Sequence, residues 1–311
     1  MRGATRQAWK TQRVRRRRTA VCGCNPGGKS LDFRMSVGDL MDEPGSLVCV
    51  GLGMMLGAHL SPRAQSELAH ADVVFAGVSD PIVELWLQDM HADVRSLQPF
   101  YADGKSRDVS YREMTAALLA EVRAGKRVCG AFYGHPGVFS RIPHDAIAQA
   151  RSEGYAAWME PGISAEDCLY ADLGIDPGNF GCQHYEASQF VFYERRLDPS
   201  AYLVLWQVGI VGDRSLRRFA TGREHRQLLV DRLAEDYPLD HAVIAYEAAT
   251  LPIAEPRIVE MRLGDVAAAE LKEYTTLVVP PARAMRRNEA MLARAGLLER
   301  SDGALEARRV A

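Results

Sequence analysis

Strand-length runs of apolar residues alternate with helical patterns through the first half of the chain. Four such runs end at glycine or at a turn, at Ser46–Gly51, Asp72–Ala76, Arg127–Phe132 and Ala156–Met159. Strands that are apolar at nearly every position are typical of a parallel sheet covered on both faces. The sequence therefore predicts an N-terminal α/β lobe with a parallel sheet over residues 45–160.

The second half has a different rhythm. Its predicted strands are separated by fewer helical segments, and they lie at 201–208, 242–247, 257–262 and 275–279. This pattern favours a mixed sheet in a second α/β lobe over residues 161–283. Residues 284–311 form a charged tail, in which 288–298 has the apolar spacing of a short docking helix.

Charge separates a basic leader from an acidic body. Residues 1–34 contain ten of the 38 basic residues and one of the 40 acidic residues, so the remainder holds 28 and 39, a net charge of −11. An acidic body argues against nucleic acid as a partner. Residues 1–44 have no hydrophobic pattern and are predicted to be a disordered leader. Gly23–Ser30 matches the P-loop spacing, but it lacks the preceding buried strand that a phosphate loop needs.

Composition indicates a globular protein of ordinary type. Apolar residues make up 47% and charged residues 25% of the chain, and no apolar run approaches the length that spans a bilayer. Cys49 and Cys129 fall in predicted buried strands, which favours reduced thiols and a cytoplasmic location. No group of histidine, cysteine and carboxylate residues has metal-ligand spacing, so no metal site is predicted.

Three loops follow predicted strands and carry glycine. They are Gly51-Leu-Gly53, Phe132-Tyr-Gly-His-Pro-Gly-Val-Phe139 and Pro161-Gly-Ile-Ser-Ala-Glu-Asp167. Ligands of open α/β sheets bind at the carboxyl ends of the strands, where glycine lets the backbone approach closely. Ser164 can also simply cap the helix that follows it, and both roles can hold together.

A fourth segment brings two tyrosines near an arginine. Tyr101, Arg107 and Tyr111 can meet if a turn at Gly104 folds the segment back. A guanidinium beside a phenol stabilises the phenolate and lowers the phenol pKa. The segment is therefore either a site for handling protons and charge or a surface loop.

Taken together, these loops resemble the tetrapyrrole methylases, and longer strings resemble one branch, the borosin peptide-backbone α-N-methyltransferases. The similarity covers about residues 45–283. The strings that carry it are Phe132–Phe139, Arg151–Tyr155, Pro161–Leu169, Ala171–Pro177, Tyr185–Ser188 and Val279–Arg283.

The resemblance implies an enzyme with two α/β lobes that binds S-adenosylmethionine in the cleft between them, usually as a homodimer. It implies catalysis by Tyr101, Arg107 and Tyr111. The positions at which the family holds the cofactor are, in this chain, Tyr133, His135, Val138, Phe139, Ser164, Ala165, Gln207, Ala248, Thr275 and Thr276.

Two features depart from the family pattern. Gln98 stands where the family often has a further tyrosine that bears on how the substrate is gripped. The fused fungal relatives carry an apolar core peptide as a C-terminal extension, whereas residues 283–311 are charged and rich in alanine and arginine. This resembles the split arrangement, and it implies a separate precursor peptide as substrate and, with it, a possible heterotetramer.

The chemistry explains why such residues are needed. A peptide nitrogen is a poor nucleophile because its lone pair is delocalised into the carbonyl. Tyr111 is assigned as the base, Arg107 as the group that stabilises negative charge, and Tyr101 as a donor to the carbonyl oxygen, with the two tyrosine roles exchangeable. The alternatives are a precorrin-like tetrapyrrole methyltransferase of the same fold and a non-catalytic cofactor-binding partner protein.

Overall fold

The computed structural model describes residues 44–102, 104–215 and 217–296. The P-loop match, the predicted leader up to residue 43 and residues 297–311 of the tail lie outside the described residues. Within these ranges no helix has the length and apolar character needed to cross a membrane.

The N-terminal sheet is parallel and alternates with helices along the chain. Its strands are β1 (Ser46–Gly51), β2 (Val73–Gly77), β3 (Val94–Ser96), β4 (Arg127–Phe132) and β5 (Ala156–Glu160). The helices are α1 (Pro62–His70), α2 (Pro81–Met90), α3 (Arg107–Arg123) and α4 (Arg141–Ser152). The strand order is β3-β2-β4-β1-β5, and every neighbouring pair is parallel. The predicted parallel sheet is confirmed.

Strand β1 shows why the apolar runs are continuous. Leu47 and Cys49 belong to the core on one face of the sheet, whereas Val48 and Val50 belong to the core on the other face. Successive side chains of a strand point to opposite faces, so a strand covered on both sides must be apolar at every position. This requirement buries β1 and places its glycine end at the edge where the other loops meet.

The C-terminal sheet is mixed, as the sequence predicts. Its strands are β6 (Cys182–Glu186), β7 (Tyr202–Trp206), β8 (Ala242–Glu247), β9 (Arg257–Arg262) and β10 (Thr276–Val279), in the order β6-β7-β10-β8-β9. Only the β6–β7 pair is parallel. The helices of this half are α5 (Ala165–Leu173), α6 (Pro177–Phe180), α7 (Ala187–Phe192) and α8 (Arg223–Leu233), and α9 (Glu289–Arg294) lies in the tail.

Two elements differ from the sequence prediction. Strand β6 has the sequence Cys-Gln-His-Tyr-Glu, and each of its residues is only half buried because the strand lies at the edge of the sheet. The sequence does not predict this strand, because a polar edge strand contains no apolar run. Helix α9 is also shorter than the predicted 288–298; Asn288 caps it by accepting the Met291 N–H at 3.1 Å.

Candidate active site

Three loops cross at the carboxyl ends of the neighbouring strands β4, β1 and β5. Gly53 and Gly134 exchange backbone hydrogen bonds of 2.8 and 3.1 Å. A Cβ atom on Gly51 would lie 2.5 Å from the Gly134 carbonyl oxygen, and a Cβ on Gly162 would lie 2.3 Å from the same oxygen. No side chain fits at either crossing. The glycines of all three predicted ligand loops therefore form one continuous backbone surface.

His135 shapes the loop after β4. Its Nδ1 accepts the Gly137 N–H at 2.9 Å, and its carbonyl accepts the Val138 N–H at 3.1 Å. With Nδ1 as the acceptor, the neutral ring carries its proton on Nε2, where it can donate to a ligand. Tyr133 and Phe139, at the two ends of this loop, are exposed.

Two residues other than glycine adopt left-handed backbone conformations in the described part of the chain. They are Phe139, with φ of 49°, and Gln207, with φ of 60°. The Phe139 ring lies 5.4 Å from that of Trp206, the residue before Gln207. Such backbone strain costs about 1–3 kcal/mol and clusters at functional sites. Both residues belong to the predicted cofactor set, and the contact of Phe139 with Trp206 joins the loop after β4 to strand β7 of the second sheet.

Gln207 continues into a buried polar cluster. The Val208 N–H donates to the Thr275 carbonyl at 3.1 Å, and the Thr275 hydroxyl donates to Glu247 Oε1 at 2.6 Å. Glu247 precedes Ala248 and also forms ion pairs with Arg257 and Lys272, which lie 3.0 and 3.5 Å away. The sequence analysis missed Glu247, which ties four separate segments together.

The two predicted threonines are deeply buried. Thr275 is fully buried and Thr276 is 2% exposed. The Thr275 hydroxyl also accepts the Lys272 N–H at 2.8 Å, so its side chain is fully engaged within the protein. A ligand would meet this segment mainly through its backbone.

Ser164 has the capping role that its position predicts. Its hydroxyl donates to Asp167 Oδ2 at 2.7 Å and accepts the Asp167 N–H at 3.3 Å. The Ser164 backbone N–H also donates to Asp167 Oδ2, at 2.7 Å, which completes a capping box at the start of α5, where Ala165 is the first helical residue. The Ser164 Cα lies 4.0 Å from where a Cβ on Gly134 would be, so this helix start borders the crossed loops.

The three predicted catalytic residues come together around the start of α3. Gly104 makes the predicted turn with a φ of +71°, and α3 begins at Arg107. Arg107 and Tyr111 are one helical turn apart and share a face. The Tyr101 and Tyr111 rings meet edge to face with centroids 6.4 Å apart.

Tyr101 is a protonated phenol in this setting. Burial raises its pKa, the nearby Tyr111 and Tyr133 raise it further, and Arg107 lowers it by less. Arg107 thus shifts the pKa of Tyr101 in the predicted direction, but desolvation of the charged form outweighs the guanidinium. A protonated phenol can donate a hydrogen bond to an oxygen.

Sequence reasoning missed two residues that complete this cluster from the C-terminal half. Asp213 Oδ2 lies 3.8 Å from Arg107 Nη2; 3% of the Asp213 side chain and 13% of the Arg107 side chain are exposed. Phe219 packs edge to face on Tyr101 at 6.4 Å. Arg107 Nε is buried and has no hydrogen-bond partner within the described residues, so this N–H is available to a ligand.

Asp213 is itself held by its own loop. Oδ1 accepts the Ser215 hydroxyl at 2.6 Å, and Oδ2 accepts the N–H groups of Arg217 and Arg218 at 3.2 and 3.1 Å. Burial raises the pKa of Asp213, but the bonds from Ser215 and Arg218, together with Arg107, lower it below its usual value. Asp213 therefore stays ionised and faces Arg107 as a fixed negative charge.

Gln98 takes a structural role at the position where the family often has tyrosine. Its side-chain amide donates to the Val78 carbonyl at 2.5 Å. This bond ties the short turn at Gln98–Phe100 to the loop after β2. The amide is therefore held within the protein, a few residues before Tyr101.

Behind Phe139 lies a chain of hydrogen bonds. The Trp206 indole N–H donates to His184 Nδ1 at 3.2 Å, and the Tyr170 hydroxyl lies 2.9 Å from His184 Nε2 and 3.0 Å from Glu166. Because the indole only donates, the neutral His184 ring carries its proton on Nε2 and donates to Tyr170. Burial lowers the pKa of His184, with Glu166 opposing this shift.

The site thus combines a glycine-crossed ligand surface with a charged tyrosine cluster. The family described as Tetrapyrrole (Corrin/Porphyrin) Methylases matches residues 46–267. The chain belongs to the tetrapyrrole methylase family. This match covers strands β1 to β9, and it confirms the fold class that the sequence resemblance implies.

Curated relatives match the narrower resemblance. A Dendrothele bispora protein named methyltransferase/ribosomally synthesized cyclic peptide dendrothelin A precursor is 41% identical over 243 residues, which cover 77% of this chain and 58% of the relative. A type I borosin cyclic peptide precursor with methyltransferase from Coprinopsis marcescibilis is 41% identical over 245 residues, 77% of this chain and 63% of the relative. The chain thus spans about three-fifths of the length of these two relatives.

Solved structures share the fold. A uroporphyrin-III-C-methyltransferase from Thermus thermophilus superimposes with a TM-score of 0.55 at 22% identity, covering 76% of this chain and 93% of that one. A cobalt precorrin-4 methyltransferase superimposes with a TM-score of 0.54 at 17% identity, covering 76% and 94%. At these identities the likeness concerns the arrangement of the two sheets.

Proposed function

We propose that the protein is an S-adenosylmethionine-dependent methyltransferase that methylates backbone amide nitrogens of a peptide. The observation that carries this proposal is the cluster of Tyr101, Arg107 and Tyr111 beside the crossed glycine loops. Relatives named as methyltransferase and cyclic peptide precursor in one protein support the peptide as substrate.

The crossed loops fit a cofactor of this kind. Three strand ends bring their backbone groups to one edge, the edge at which open α/β sheets bind ligands. The tight crossings at Gly51 and Gly162 hold these loops together. His135 Nε2, the backbone at Gln207 and the exposed Phe139 ring would hold it from the sides. When bound there, S-adenosylmethionine supplies an electrophilic methyl group.

The chain's own residues would prepare the amide. Arg107 carries an unused buried N–H that can bind the amide oxygen and stabilise the negative charge that grows there as the nitrogen loses its proton. Tyr101, protonated by virtue of its raised pKa, can donate to the same oxygen. Tyr111, acting as the phenolate, is then the group left to accept the amide proton and become a neutral phenol, which favours the first of the two tyrosine assignments.

Placement would provide the rest of the acceleration. Holding the nitrogen in line with the methyl group makes the transfer effectively intramolecular. Phe219 on Tyr101 and Asp213 on Arg107 fix two of the three groups from the opposite half of the molecule. Closure of the two halves around the peptide would also exclude water from the reacting atoms.

The test measures intact mass and fragmentation after incubation with S-adenosylmethionine. The protein is assayed alone, with a synthetic apolar peptide, and with a tetrapyrrole acceptor. Methyl groups on backbone nitrogens of the peptide support the proposal, and a separate peptide as substrate requires that they appear there. Transfer to the tetrapyrrole would favour the precorrin-like alternative, and cofactor binding without any transfer would favour a binding partner.

Matched variants locate the chemistry. Arg107→Ala and Tyr111→Phe should abolish transfer and leave cofactor affinity nearly intact, because neither residue belongs to the glycine loops. Parallel loss of cofactor binding and of activity would contradict the assignment.

We further propose a homodimer, or a heterotetramer with a separate precursor, in the cytoplasm, with neither nucleic acid nor membrane as a partner.

A further inference from the structure

A segment next to the catalytic cluster is strongly cationic. Residues 214–223 contain four arginines and no acidic residue, whereas the chain beyond residue 34 has a net charge of −11, from 28 basic and 39 acidic residues. The four arginines are Arg214, Arg217, Arg218 and Arg223, and all are exposed. We call these four side chains the arginine patch.

The arginine patch is not used in ion pairs within the described part of the chain. None of its four guanidinium groups forms a salt bridge with another described residue. Arg223 is the first residue of α8, where the helix dipole disfavours a positive charge. Arg214 only stacks over the ring of Phe192, at 5.7 Å. No residue that the structure describes therefore neutralises these four charges.

The patch is joined to the catalytic cluster at two points. Asp213, which directly precedes Arg214, has its Oδ2 3.8 Å from Arg107 Nη2. The ring of Phe219, which directly follows Arg218, lies 6.4 Å from the Tyr101 ring, centroid to centroid. The backbone N–H groups of Arg217 and Arg218 hold the Asp213 carboxylate. A ligand bound by these arginines would thus lie along the rim of the proposed active site.

We infer that the arginine patch binds an acidic segment of the peptide substrate that flanks the methylated stretch. This inference rests on the proposed function. Opposite charge is what the patch can recognise. A short acidic segment can place its few charges on the patch alone, whereas an extended polyanion such as nucleic acid would also run along the acidic remainder of the protein and be repelled by it. A flanking anchor holds the peptide in register while its apolar part lies beside Tyr101, Arg107 and Tyr111.

An anchor of this kind has a defined kinetic signature. It contacts the substrate equally before and during methyl transfer, so it lowers KM and leaves kcat unchanged. Its attraction is also screened by salt, because the side chains are exposed. Both properties separate it from a role in the chemistry.

The experiment uses three fluorescent peptides with one apolar core, flanked by Asp/Glu, by Ser/Gln or by Lys. Their Kd values are measured by anisotropy with S-adenosylhomocysteine present, at about 50 mM and about 500 mM NaCl. We expect the acidic peptide to bind about tenfold more tightly than the neutral one at low salt, which is about 1.4 kcal/mol. The difference should shrink to below about threefold at high salt.

The variant Arg217→Glu/Arg218→Glu should erase this preference and raise KM for the acidic peptide at constant kcat. The control Arg262→Glu/Arg286→Glu makes the same change in charge. It does so where β9 ends and in the segment after β10, away from the strand ends that carry Glu247 and Thr275. The control should keep the preference, and melting temperatures confirm that both variants fold.

Three results would overturn the inference. They are equal affinity for the acidic and neutral peptides, equal loss of preference in the control variant, and binding of a single-stranded oligonucleotide of the same charge as tightly as the acidic peptide. Failure of the proposed function is distinguishable, because binding needs no transfer. A preference without methylation would refute the activity alone, and methylation without a preference would refute the patch alone.

Discussion

Replacing Asp213 with asparagine removes the charge opposite Arg107 and nearly preserves side-chain size. The two groups are 3.8 Å apart, and at an effective dielectric constant of about 20 unit charges at that separation attract by about 4 kcal/mol. Removing one partner of a buried pair costs about 3–5 kcal/mol. Because 13% of the Arg107 side chain is exposed, we expect the lower end, about 3 kcal/mol of unfolding free energy.

Activity should fall as well, because Arg107 loses the group that fixes its position. A shift of about 1 Å at a reacting group can lower the rate about a hundredfold. We expect Asp213→Asn to lower kcat by about 10- to 100-fold and to change cofactor affinity by less than about twofold, since Asp213 makes no contact with the glycine loops. Single-turnover methyl transfer, calorimetry and urea denaturation measure the three quantities.

Ser215→Ala is the matched control. It removes the 2.6 Å hydrogen bond from the Ser215 hydroxyl to Asp213 Oδ1 and leaves the carboxylate charged. We expect a loss of about 1 kcal/mol of stability with kcat unchanged. If Asp213→Asn proves as active as the wild type, the ion pair does not position Arg107 and Asp213 only organises its loop. The same conclusion follows if both variants lose activity equally.

Three further predictions concern the glycine crossing, the buried histidine and the protonated tyrosine. Gly162→Ala places a Cβ 2.3 Å from a backbone oxygen. It should lower the free energy of unfolding by about 2 kcal/mol and remove most of the cofactor affinity measured by calorimetry. In the control Gly264→Ala the nearest atom lies 3.4 Å from the new Cβ, so stability and cofactor affinity should both stay unchanged. Burial lowers the pKa of His184 below the usual histidine value of 6.5. Between the lowered pKa and about 6.5, His184 is therefore protonated in the unfolded chain and neutral in the folded chain. The free energy of unfolding falls as the pH drops through this range. His184→Gln should flatten that slope in urea denaturation, and an unchanged slope would place the titration elsewhere. Tyr101→Phe should lower kcat without moving the midpoint of its pH profile, because the raised pKa keeps Tyr101 protonated; a moved midpoint would make Tyr101 the base.

The parts of the site that the sequence predicts are those whose signal is local. The loops at Gly51, Gly134 and Gly162 each follow an apolar run, and a parallel sheet must bring the ends of its neighbouring strands to one edge. Tyr101, Arg107 and Tyr111 lie within one turn and the start of one helix, so a single glycine turn suffices to gather them. In both cases short-range patterns determine the geometry.

The residues that sequence reasoning missed depend on contacts that form only in the assembled fold. Asp213 and Phe219 lie in an irregular segment whose composition suggests only a surface loop, and their partners are on α3 and in the turn before it. The sequence also does not predict the left-handed backbone of Gln207, because residues other than glycine rarely adopt that conformation and no local pattern indicates it. Glu247 reads as the end of a strand, and its four-segment cluster appears only once the sheet is assembled.

During synthesis the ribosome delivers Arg107 well before Asp213. The N-terminal sheet, with α3 and both tyrosines, can be assembled while the loop that neutralises the guanidinium is still to come, since chains generally fold from the N-terminal part first. Until then Arg107 has no opposing charge among the residues that the structure places beside it. A polypeptide that ends after the Gly162 loop but before Asp213 would carry both tyrosines and the three glycine loops without an anchored arginine. We therefore expect truncated products in a preparation to contribute to the measured protein concentration but not to methyl transfer.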